Sequence, residues 1–136
     1  MPDVRERILI VEDEALVAFQ IEDVLLGAGF DVVGISDTMA DTLVLVEKDK
    51  PYLALCDIRL GGESGVAIAA MLKERGVPSL FVSGNCATVE GAGVGLGCLH
   101  KPFDKVRLFK AIAVVRALLA GKKPPPSRPT CTCSNP

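Results

Sequence analysis

The stretch Ile8-Leu9-Ile10-Val11-Glu12-Asp13-Glu14 decides how the chain is read. Its four consecutive apolar residues, three of them β-branched, show no polar alternation, so they read as a strand covered on both faces. Such a strand belongs to a parallel sheet with helices packed on either side. The three acids that follow stand at the carboxyl end of the strand, where open parallel sheets place their ligands.

The same grammar repeats outward from this run. Residues 15–28 have helical periodicity, with Ala15, Leu16, Phe19, Val24 and Leu25 as the apolar positions and Gly27 and Gly29 as the stop. Residues 32–35 form a second apolar run. Thr38 or Asp37 can cap a helix over residues 39–48, with Leu43, Val44 and Val46 inward and Pro51 beyond its end. Residues 52–56 give a third strand that ends at Asp57. Ser64 caps a helix running to about Arg75, stopped by Gly76 and Pro78. Residues 79–82 and 98–100 supply strands four and five. The last helix, residues 106–119, carries the stripe Leu108, Ala111, Ile112, Val115 and Leu119. Strands separated by helix-length segments imply βαβ units, hence an α/β fold with a parallel sheet and right-handed crossovers.

One unit is weak. Between Val82 and Cys98 stand Gly84, Gly91, Gly93, Gly95 and Gly97. Interior glycine costs a helix about 1 kcal/mol per position, so the fourth helix is expected to be short or irregular, near residues 87–91. The Gly91–Gly97 pattern does not match a phosphate loop, because no Gly-Lys-Ser/Thr follows it. After Leu119 the composition turns to Lys, Pro and Ser. Residues 121–136 are therefore expected to be a disordered, Pro-rich tail, residues 1–6 an N-terminal lead, and residues 7–120 the single domain.

Composition narrows the function. The chain has 136 residues, 49% of them apolar and 24% charged, with a net charge of −2. The tail contributes Lys122, Lys123 and Arg128 and no acid, so the body is acidic. That balance gives no reason to expect direct nucleic-acid binding. No apolar run approaches the length of a membrane span, and the start of the chain lacks a secretory signal. Five cysteines at 56, 86, 98, 131 and 133 suggest a reduced, cytoplasmic protein in which the first three are small apolar residues. Cys131 and Cys133 read as part of the tail. His100 is the sole histidine and has no second nitrogen or thiolate spaced to help it bind a metal, so it reads as a strand-end residue.

The strand ends carry the chemistry. They bring Glu12, Asp13 and Glu14 from strand one, Asp57 from strand three, Ser83 from strand four and Lys101-Pro102 from strand five. Clustered carboxylates are hard to keep ionised without a cation. Oxygen ligands without a His or Cys cluster suit Mg²⁺. A lysine and a hydroxyl facing them can hold phosphate oxygens, and a carboxylate can take a phosphoryl group as an acyl phosphate.

Four motifs in order, Ile8-Leu-Ile-Val-Glu-Asp-Glu, Asp57-Ile-Arg-Leu-Gly-Gly-Glu-Ser-Gly, Phe81-Val-Ser-Gly and Lys101-Pro-Phe, resemble the receiver domain of bacterial response regulators over about residues 7–120. The resemblance implies a flavodoxin-like five-stranded parallel sheet of order 2-1-3-4-5 flanked by helices. It implies Asp57 as phosphoacceptor, Asp13 and Glu12 as metal acids, and the Arg59 backbone carbonyl as a further Mg²⁺ ligand. It also implies Ser83 as the switch hydroxyl, Lys101 as the phosphate-binding lysine, and a Lys101–Pro102 peptide that is often cis. Leu60-Gly-Gly-Glu-Ser and Phe81-Val-Ser-Gly are similar to a stand-alone subgroup with Phe-Ala-Thr-Gly on strand four.

The family's switch aromatic, three residues before the lysine, is here Cys98. The expected substitute for a rotating ring is an ordering of residues 84–97 on phosphorylation. The implied donor is a sensor histidine kinase or a phosphotransfer protein. No output segment is recognisable after Leu119, so a downstream protein, of unknown identity, is expected to receive the signal by contact. The alternatives are a phosphorylation-independent adaptor, a phosphate sink, and, less favoured, an aspartyl-phosphate phosphohydrolase. That enzyme would want an acid where Arg59 stands, so beyond self-phosphorylation and autodephosphorylation no enzyme activity is expected.

Overall fold

The structure is a computed structural model, and it describes residues 6–84 and 95–119. β1 (Arg7–Val11) leads to α1 (Ala15–Gly27), β2 (Asp31–Ser36) and α2 (Met39–Lys48). β3 (Leu53–Asp57) is followed by two short strands, β4 (Arg59–Leu60) and β5 (Glu63–Ser64), and then α3 (Gly65–Glu74). β6 (Ser79–Ser83), β7 (Cys98–His100) and α4 (Lys105–Leu119) complete the described elements. Five strands form one parallel sheet in the order β2-β1-β3-β6-β7. Once the β4–β5 hairpin is set aside, this is the 2-1-3-4-5 arrangement expected from sequence. The expected short fourth helix and loop ordering fall mainly on residues 85–94, and the tail on 121–136, all outside the described residues.

The apolar runs are continuous because the sheet is covered on both sides. Successive side chains of a strand point to opposite faces. Leu9, Val11, Ala54, Cys56 and Phe81 pack with α2 and α3. Ile8, Ile10, Leu55, Leu80 and Val82 pack with α1 and α4. The helix starts follow ordinary capping chemistry. Thr38 Oγ1 accepts from Asp41 N at 3.1 Å, Ser64 Oγ from Ala67 N at 3.2 Å, and Asp104 Oδ1 from Arg107 N at 2.8 Å.

Several sequence expectations need correction. On α1 the buried residues are Ala18, Ile21 and Leu25, whereas Leu16 and Phe19 are 78% and 57% exposed. That helix is apolar around most of its circumference, so its periodicity fits two stripes, and packing selects one of them. On α2 it is Thr42 and Val46 that are buried, and Val44 lies outside. The polar Thr42 is accommodated because its hydroxyl bonds Ser36 Oγ at 2.8 Å and the Thr38 carbonyl at 2.7 Å. Cys98 is buried in the core, as a small apolar residue should be, but it is disulfide-bonded rather than reduced. Spacing along a sequence does not reveal which cysteines the fold brings together. Among the described residues, no helix is long and apolar enough to cross a membrane.

Candidate functional site

Each strand that ends at the carboxyl edge of the sheet delivers one polar group there. β1 hands its chain directly to Glu12, which is 4% exposed despite its charge. Its position is fixed from both sides: its backbone N–H donates to the Ser36 carbonyl at 2.9 Å, and its Oε2 accepts from Glu14 N at 3.2 Å. Asp57 closes β3 and is 8% exposed. Ser83 closes β6 at 6%, and its carbonyl accepts from Lys101 N at 2.8 Å, which sets where the lysine leaves β7. The Lys101–Pro102 peptide is cis.

Lys101 ties this edge together. Its Nζ lies 2.8 Å from Glu12 Oε1 and 3.1 Å from Asp57 Oδ2. The partners are 89 and 44 residues away in sequence. Burial pushes the Glu12 carboxyl above its ordinary range, and the nearby Asp57 charge adds to this, partly offset by the Lys101 hydrogen bond. Burial alone would lower the Lys101 ammonium. Its hydrogen bond to Glu12 and the charges of Asp57 and Glu12 outweigh that and raise it, so the lysine is held as a cation.

Glu12, Asp13 and Asp57 each offer a carboxylate oxygen within 4.8 Å of the others. Asp13 is the exposed member and reaches solvent. Asp57 Oδ1 accepts from Arg59 N at 3.3 Å. An open cavity of about 620 Å³ is lined by Asp13, Asp57, Arg59, Ser83, Gly84 and Lys101. All the sequence-predicted site residues but one therefore border a single cavity. The exception, Glu12, sits beneath it and engages it through Lys101. A donor set of carboxylates, without thiolate or imidazole, fits a hard divalent cation. His100 pairs in register with Ser83 on the adjacent strand and is outside the acid cluster, as a strand-end residue should be. Cys56, buried next to Asp57, has its thiol pushed far above the usual range by desolvation, so it stays neutral and packs.

Sequence reasoning missed the hairpin of β4 and β5. Gly61 turns it with a φ of +55°, a conformation that favours glycine. Gly65 ends it against the sheet, where a Cβ would run into the Asp57 carbonyl. The Gly61-Gly62 pair was the available signal, since two glycines between short extended segments read as a hairpin turn.

Comparison with known proteins agrees with this fold. The sequence matches the family described as the response regulator receiver domain over residues 8–113. It is 35% identical over 124 residues to the DNA-binding response regulator MtrA of Mycobacterium tuberculosis (strain ATCC 25618 / H37Rv), covering 88% of this chain and 53% of that protein. It is 37% identical over 84 residues to the phyllosphere-induced regulator PhyR of Methylorubrum extorquens, covering 60% of this chain and 32% of that one. The chain thus spans about half the length, or less, of these curated relatives. The solution structure of the PhyR receiver domain from Erythrobacter litoralis superposes with a TM-score of 0.74 at 26% identity, covering 91% of this chain and 97% of that one.

Proposed function

Since the chain belongs to the response regulator receiver domain family of two-component systems, we propose that residues 7–120 act as a phosphoacceptor module with Asp57 as the acceptor. The observation that carries this reading is Lys101 Nζ bridging Glu12 and Asp57 at the mouth of the cavity. An Asp57 carboxylate oxygen attacks the phosphorus of a phosphohistidine. The new P–O bond makes an acyl phosphate, and the broken P–N bond returns its electron pair to the imidazole. Lys101, already held as a cation, turns from Asp57 toward the phosphoryl oxygens and offsets their charge. Ser83 borders the same cavity and can donate its hydroxyl to one of those oxygens.

Asp13, Asp57 and the Arg59 backbone carbonyl would hold Mg²⁺, with Glu12 as the second acid. Bound there, Mg²⁺ supplies neutralising charge to the transferring group. The donor is a sensor histidine kinase or phosphotransfer protein in the cytoplasm, and the signal passes on by protein contact. α1 begins directly after the acids, and its exposed Leu16, Phe19 and Leu26 offer an apolar face along that helix for such a partner.

A phosphorylation-independent adaptor is the second reading, favoured by Cys98 in place of the switch aromatic. A phosphohydrolase is disfavoured, because the exposed Arg59 occupies the position where a general acid would be needed. The test is labelling by acetyl phosphate and by a phosphorylated phosphotransfer protein, with Mg²⁺ and with a chelator. Mg²⁺-dependent incorporation is expected. A protein that takes no label from either donor would favour the adaptor.

A further inference from the structure

The hairpin that follows Asp57 is too small to hold its own shape. β4 and β5 have two residues each, paired Arg59 with Ser64 and Leu60 with Glu63. An isolated two-stranded ribbon is marginal in water even at greater length. Yet this ribbon carries Arg59, whose N–H bonds Asp57 Oδ1, and Gly61, where a Cβ would stand 3.6 Å from Asp13 Oδ2. At its root, Gly65 N donates to the Ile58 carbonyl at 2.8 Å. Leu60 packs one strand of the ribbon into the core; the other strand, at Glu63, has an anchor of its own.

Glu63 supplies that anchor. Its Oε1 accepts from Met39 N, the first residue of α2, at 2.7 Å in a half-buried setting. The first N–H groups of a helix lack partners within it, and its N-terminus favours negative charge. The bond is therefore charge-assisted. α2 is a firm post, because Thr42 and Val46 are buried and Thr42 is bonded to Ser36 at the end of β2.

We propose that Glu63 is a positioning residue for the phosphoryl-transfer site: by fastening the 59–64 hairpin to the start of α2, it holds the Arg59 backbone where Mg²⁺ and the phosphoryl group need it. This inference rests on the phosphoacceptor reading above. Groups that orient metal ligands from outside the coordination sphere typically alter metal affinity on the order of tenfold when removed.

Three variants separate positioning from simple helix capping. Glu63→Ala removes the tether. Glu63→Gln keeps an acceptor oxygen. Thr38→Ala removes the other cap of the same helix end, the Asp41 N to Thr38 Oγ1 bond, and leaves the hairpin alone. Each is titrated with MgCl₂ by calorimetry and by the amide shifts of Gly61 and Gly62. Acetyl phosphate labelling rates and Tm are measured alongside.

Glu63→Ala is expected to weaken Mg²⁺ on the order of tenfold and to slow labelling, with Glu63→Gln close to wild type. Thr38→Ala is expected to lower Tm by a few degrees with Mg²⁺ affinity unchanged. Equal Mg²⁺ affinity in Glu63→Ala and wild type would overturn the proposal, as would an equal loss in Thr38→Ala and Glu63→Ala. A wild-type protein that neither binds Mg²⁺ nor takes label would instead remove the phosphoacceptor reading, and this inference with it.

Discussion

The interior of the strands and Glu12, Asp57 and Ser83 at their carboxyl ends are all buried but are held by opposite physics. Ile8 to Val11 are 0% exposed, and Glu12, the next residue, is 4% exposed. The first four are stabilised by leaving water, at about 25 cal/mol per Å² of apolar surface. Glu12 is destabilised by the same move and persists because Lys101 sits 2.8 Å away. One peptide bond thus separates a region built for stability from a region built for chemistry. Substitutions in the two regions should split accordingly, the interior ones acting on stability and the edge ones on phosphoryl acceptance.

The largest stability loss is expected in the interior. Leu55→Ala empties a site that is 1% exposed between β3 and the α1/α4 layer. It should cost about 2–5 kcal/mol in urea unfolding, as large-to-small core changes do. A loss under about 1 kcal/mol would mean that the sheet is less tightly packed there than this account requires.

Lys101→Ala comes next. It leaves Glu12 buried beside Asp57 without their shared cation. Losing one partner of a fully buried pair costs about 3–5 kcal/mol. The open cavity, and protonation of Glu12, should reduce this to about 1–2 kcal/mol. Added Mg²⁺ should raise the Tm of this variant more than that of wild type, because it restores a cation to the acids. An equal Mg²⁺ response in the two proteins would separate the lysine from the metal acids and blur the comparison.

Asp13→Asn should be the mildest change. Asp13 is exposed, so unfolding should shift by less than about 0.5 kcal/mol. Its Mg²⁺ affinity should nevertheless fall clearly, since one of three carboxylates facing a dication is neutralised. Unchanged Mg²⁺ binding would remove Asp13 from the metal site.

The sequence carried the interior better than the edge, for the same reason that the two differ physically. A strand buried on both faces writes itself as an uninterrupted apolar run, as β1 and β3 do, and all five expected strands, the half-buried edge strand β2 included, fall within a residue or two of those observed. Thr38, Ser64 and the stripe Leu108, Ala111, Ile112 and Val115 were also legible, because capping and helical period are local; Leu119, the last of the expected stripe, is instead 41% exposed at the end of α4. On α1 the period failed, since nearly every position is apolar and Leu16 and Phe19 match the pattern as well as Ile21 does.

At the edge the candidate residues were legible only as strand ends and as a family resemblance. That Glu12, Asp57 and Lys101 form a single bonded group joins residues up to 89 apart in sequence and is a property of topology. The Glu63–Met39 tether was illegible because a lone Glu in a Gly-rich loop carries no sign of what it will meet.

The most direct test of the central claim is the intact mass of Asp57→Asn beside wild type after incubation with acetyl phosphate and Mg²⁺, with unfolding curves for both. The account predicts one base-labile phosphoryl adduct on wild type, none on Asp57→Asn, and unfolding free energies within about 1 kcal/mol of each other, because the amide still accepts from Lys101 and Arg59. An adduct that persists on Asp57→Asn, at Ser83, His100 or elsewhere, would contradict it.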